Sequence, residues 1–155
     1  MKYRTVFAAI VILLGLAAQL CAAEVEDKFK EGQELLDAWR ISQAEELAVK
    51  SLRDNPKSPD ALDFDARVKF YQGRYQEALA SIDRALAIDS NVKQRQGLKL
   101  LSQFTVDVIK TLKRYESAHF VLYLDEKRDG ILATHALDAL EKSYQAVGAE
   151  LGYYP

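Results

Sequence analysis

The side chains equipped to bind a metal or move a proton are few. They are His119, His135, the single cysteine Cys21, and the charged runs Glu45-Glu46 and Asp125-Glu126-Lys127-Arg128-Asp129. A closed zinc site needs about four ligands at fixed spacing. His119 and His135 stand 16 positions apart on different expected elements, with no paired carboxylate at ligand spacing, so zinc binding is not expected of them. His119 is expected at the entrance of a strand, its imidazole on solvent or a backbone group, and His135 beside the apolar stripe of a helix. The charged runs read as solvated helix and turn surface. The sequence contains no Gly-rich phosphate loop, no Ser/His/Asp order, no Cys/His pair and no His-Glu-x-x-His. No catalytic, metal or cofactor residue is therefore assigned.

The elements around these residues carry more information. Residues 25–92 divide into two stretches of 34, 25–58 and 59–92, in register with each other. With Val25 and Pro59 first, Gly32 aligns with Ala66, Leu36 with Phe70, Ala44 with Ala78, and Leu52 with Leu86. Identity is confined to Arg40/Arg74, Ala44/Ala78 and Leu52/Leu86, so residue size at fixed positions carries the pattern. Small residues at Gly32/Ala66 and Ala44/Ala78 allow two antiparallel helices to approach closely, and Leu36, Phe70, Leu52 and Leu86 fill the grooves between hairpins. A period of about 34 residues with small residues at these places resembles the tetratricopeptide repeat. FYQGRYQEALASIDRALAIDSN carries the resemblance most closely, with Gly73 ending a helix, Tyr75 packing at the turn, and Ala78 and Ala85 lining the contact. Departures from the family are Trp39 in place of the turn glycine, and Asp65 and Lys69 where an apolar and an aromatic residue are usual.

The resemblance implies a mainly α solenoid and a role in binding proteins or peptides. The first helix of each unit would supply the concave face: Phe29, Lys30 and Gln33 from one, with Glu26 and Asp37, and Asp63, Phe64, Arg67 and Tyr71 from the other, with Asp60. Such a mixed aromatic and charged groove suits an extended peptide or a neighbouring protein surface. The alternative is that Phe29, Phe64 and Tyr71 pack internally. The Lys and Asn set with which some family members clamp a carboxylate tail is missing.

Beyond the repeats, Leu98, Leu101, Phe104, Val108 and Leu112 fall at helical spacing and predict a capping helix over 93–114. Ala118 to Leu124, AHFVLYL, reads as a strand, with Phe120, Leu122 and Leu124 on one side and Val121 and Tyr123 on the other. A polar turn over 125–130 and a helix from Ile131 to about Leu151, stopped by Gly152, follow. A single strand cannot satisfy its own backbone. The expectation is the front of a longer protein, with pairing in a dimer or absorption into helix as alternatives.

YESAHFVLYLDEKRDGILATHALDALEKSYQAVGAELGYYP resembles the opening of peptidase-MA-like (gluzincin) domains. The matching features are Ser117-Ala118-His119-Phe120, Asp129, Leu140-Glu141 with Tyr144, and Leu151-Gly152-Tyr153 with Pro155. In that family a later His-Glu-x-x-His helix holds zinc. The resemblance thus implies a start of such a domain over 115–155, and zinc only if a catalytic segment follows.

Lys2 and Arg4, the apolar run Val6 to Leu20, and small residues Cys21, Ala22 and Ala23 before Glu24 predict a secretory signal peptide over 1–23. The product would be periplasmic or secreted, with membrane attachment through that segment if it stays uncleaved. Cleavage would remove the cysteine and leave 19 basic against 23 acidic residues, a formal charge of −4. That balance excludes a nucleic-acid partner bound through a basic face.

Overall fold

The computed structural model describes residues 29–154, and the expected signal peptide lies outside them. The chain is mainly α-helical and forms two compact units, one reaching to Gln103 and one starting at Phe104.

In the first unit, helix α1 (described over 29–37) is followed by α2 (Ile41–Asp54), α3 (Pro59–Tyr71), α4 (Tyr75–Ile88) and the start of α5 (Lys93–Lys110). The backbone repeats every 34 residues: α2 and α4 start 34 apart, as do α3 and α5. The turns repeat as well. Trp39 (φ 56) and Gly73 (φ 76) both take the left-handed conformation. Each turn closes with the same pair of bonds, Trp39 N to Leu36 O and Arg40 N to Leu35 O in one, Gly73 N to Phe70 O and Arg74 N to Lys69 O in the other. These bonds satisfy the last carbonyls of the preceding helix and reverse the chain. At the start of α3, the Ser58 side chain accepts from Ala61 N and Pro59 occupies the first turn, where no amide partner is needed.

Burial follows residue size. Ala44, Ala66, Ala78 and Ala85 are fully buried, so the helix backbones meet over methyl groups. A Cβ placed on Gly32 would lie 2.5 Å from the Phe64 ring, which shows how closely α1 lies against α3. Leu36, Ala44, Ala48, Phe64 and Val68 form one core cluster; Leu62, Ala66, Ile82 and Ala85 form the next, with Leu98 of α5 packed on it. Because α3 is flanked on both sides, even its Asp63 and Asp65 are buried.

Two expectations for 93–124 are corrected. The helix ends at Lys110, and Lys113–Glu116 is a strand, β1, pairing antiparallel with β2 (Val121–Leu124). The strand therefore has a partner within the chain, and Ala118 to Phe120, expected in the strand from composition, lie with Ser117 in the connecting loop, closed by Ser117 N to Phe120 O at 2.9 Å. The buried face of α5 is also offset from the expected stripe. Arg95, Ser102 and Val106 are buried with Leu98 half-buried, while Leu101, Phe104 and Val108 are exposed. Arg95, on the buried face of α5, is ion-paired with Asp60 and Asp89.

In the second unit the hairpin is followed by a single turn α6 (Glu126–Asp129), a 3-10 turn (Gly130–Leu132) and α7 (Ala133–Leu151). Asp125 caps α6 by accepting from Lys127 N and Arg128 N. Gly152, at φ 65, ends α7. Leu132, Val147 and Leu151 of the expected stripe are exposed, whereas Tyr154 folds back over Gly148, where a Cβ would lie 2.3 Å from its ring. No described helix is long and apolar enough to cross a membrane.

Candidate functional site: a groove on the first unit and a carboxylate clasp on the second

α3 carries a ladder of charges whose burial is its most unusual property. Lys69 Nζ lies 2.7 Å from Asp65 Oδ2 and donates to Ser81 Oγ at 3.1 Å; Ser81 Oγ donates to the same carboxylate at 2.5 Å. This triad joins α3 to α4 and satisfies the polar groups buried between them. One turn away, Arg67 Nε and Nη2 approach Asp63 Oδ2 at 3.4 Å, and Asp63 Oδ1 has no partner. Burial pushes the Asp63 carboxyl up from its ordinary range, against the pull of Arg67 and Arg95.

Arg67 extends from this ladder to the surface, its guanidinium 5.9 Å from the Phe29 ring. Beside it lies an open groove of about 640 Å³. Trp39 and Tyr71, in edge contact with centroids 5.7 Å apart, and Phe70 and Tyr75, 5.1 Å apart, form one part of its lining. Gln94, Gly97, Leu98 and Leu101 of α5 form the other. Trp39 is 74% exposed and Tyr71 44%. Arg67 is the sole charged residue of the lining.

The residues expected to face a partner are thus divided. Arg67 and Tyr71 line the groove. Phe64 is in the core, 3% exposed, pressed against Gly32, so its ring packs internally. Asp63 is buried beneath Arg67, and Phe29 is half-buried against the first core cluster. Lys30 is exposed, and Gln33 donates to Asp37 at 2.8 Å. The α5 lining was missed because the expected stripe assigned that helix's apolar row to packing. Trp39, a departure at its turn by sequence, lines the groove as well.

In the second unit Glu141 of α7 gathers the loop between the strands. Its Oε1 accepts from Ser117 Oγ at 2.6 Å and His119 N at 2.8 Å, and its Oε2 lies 2.7 Å from His119 Nδ1. These bonds, Ser117 first, hold the carboxyl at about 2. The His119 ring stacks on Tyr144 with centroids 4.0 Å apart. Ser117 and His119 both bond the carboxylate. The arrangement is a clasp. Its Ser117, His119, Glu141 and Tyr144 are features that carried the second sequence resemblance. His135 is an exposed residue of α7. Glu45 accepts from Arg74, and Asp129 from Arg128. Among the described residues no group of three or more histidine, cysteine or acidic side chains is placed to hold a metal.

Neither a protein-family model nor a curated protein matches the chain.

Proposed function

We propose that this chain is an exported tetratricopeptide-repeat protein that holds a partner protein or peptide in the groove lined by Trp39, Arg67, Tyr71 and α5. The observation that carries the reading is Trp39: a bulky residue in a left-handed turn, three-quarters exposed at the groove. Backbone strain of this kind persists where surrounding structure enforces it and concentrates at functional sites. The equivalent turn position holds Gly73, so the fold itself does not call for an indole there. The tetratricopeptide assignment is supported by the 34-residue backbone period and the fully buried small residues at the helix contacts. Export is supported by the basic, apolar and small-residue order of residues 1–23. Capture of partners from the exported fraction should be lost in an Arg67→Ala, Tyr71→Ala double variant; unchanged capture contradicts the groove.

The clasp favours a second reading, in which the second unit is the leading part of a peptidase-MA-like domain and the repeats present substrate to it. A His-Glu-x-x-His helix encoded downstream of residue 155 would support it, and a downstream sequence without one would sink it.

A further inference from the structure

We infer that the groove's occupant is an extended, proline-rich segment of a partner protein with an acidic side chain beside its prolines, a choice that rests on the groove reading above. Hydrogen-bond complementarity is the first argument. The polar groups of the lining are the Trp39 indole N–H, the Arg67 guanidinium, the Tyr71 and Tyr75 hydroxyls and the Gln94 amide; no carboxylate lines it. Every one of these can donate, and the indole and guanidinium can do nothing else. A fitting ligand offers many acceptors and few donors. A polyproline segment does this: it has no internal hydrogen bonds, its carbonyls face outward, and proline lacks an N–H.

Shape and charge agree with this choice. Trp39, Tyr71 and Tyr75 line the groove together with Leu98 and Leu101, an aromatic and apolar surface on which pyrrolidine rings pack. Gly97 leaves open space along α5, with nothing within 4 Å of where its Cβ would be. Arg67 bonds Asp63 through Nε and Nη2 alone, which leaves Nη1 for an acidic ligand group. Other occupants fit less well. A cationic ligand would meet Arg67, and an amphipathic helix, its backbone bonds already closed, would offer the groove's donors acceptors from its side chains alone.

Trp39 is the chain's single tryptophan, so its emission reports the groove directly. The purified chain is titrated with a ten-residue proline peptide bearing one central Glu, the same peptide with Lys, and a Gly/Ser peptide with the same Glu. The inference predicts a saturable blue shift with the first and binding weaker by about tenfold or more for the other two. In calorimetry, Trp39→Gly should abolish binding with its thermal midpoint preserved, since glycine suits a φ of 56. Tyr71→Phe, which removes only a hydroxyl, should weaken binding by about threefold or more. Equal binding of all three peptides, or preference for the Gly/Ser or Lys peptide, overturns the proline and acid assignment and leaves the groove standing. No shift with any peptide overturns this inference alone if partner capture still requires Arg67 and Tyr71, and overturns both readings if capture does not.

Discussion

At Trp39 an indole occupies a backbone conformation that disfavours side chains by about 1–2 kcal/mol, and its edge contact with Tyr71 recovers only part of that. Glycine removes the strain but adds chain entropy on unfolding, so Trp39→Gly should alter stability in denaturant by no more than about 1 kcal/mol. Gly32 is the opposite case. The Phe64 ring is buried where a methyl would go, and Gly32→Ala should cost about 1–3 kcal/mol in the same measurement. Glu141 makes the second unit acid-sensitive. Its folded carboxyl, at about 2, lies below the ordinary 4.5, so the clasp's contribution is complete above 4.5 and is lost as pH falls from there towards 2. The near-ultraviolet signal of Tyr144 stacked on His119 should fade across that window, and in Glu141→Gln the fade should be absent. A fade of equal size in the variant would show that other carboxylates control the loss.

At the scale of elements, buried charge decides what α3 and α5 do. Asp65→Ala leaves the Lys69 ammonium with Ser81 alone, and because Lys69 is about one-fifth exposed the cost should be about 2–3 kcal/mol, below that of a fully buried pair. An Asp65→Leu, Lys69→Phe double variant should recover most of it, because packed apolar groups replace buried ion pairs at little cost. Recovery is measured by comparing denaturation midpoints of the single and double variants. The sequence made the helical hairpins legible because Gly32, Ala44, Ala66 and Ala78 mark close contacts by size alone. In α5 the most apolar row stays exposed, and the buried face includes Arg95, whose partners Asp60 and Asp89 are distant in sequence, a contact that periodicity does not encode. β1 was hidden for a similar reason. Lys113-Arg114-Tyr115-Glu116 has no strand-like composition and becomes a strand by pairing with Val121–Leu124. Arg67 and Tyr71, expected on a partner-facing surface from their place in the repeat, line the groove, whereas Phe64 takes the internal position that was its alternative, because Gly32 leaves room for its ring.

Over the whole molecule, the first unit carries an open aromatic groove, and the second is fastened by a carboxylate that joins hairpin to helix. That partners are held at the groove is the proposal on which the rest depends. Its most direct test is a photo-reactive phenylalanine analogue placed at Tyr71, and separately at Glu46 on the exposed face of α2, in cells expressing the protein. The account predicts a discrete cross-linked species from position 71 and none from position 46. Adducts of equal yield from both positions, or from position 46 alone, would contradict it.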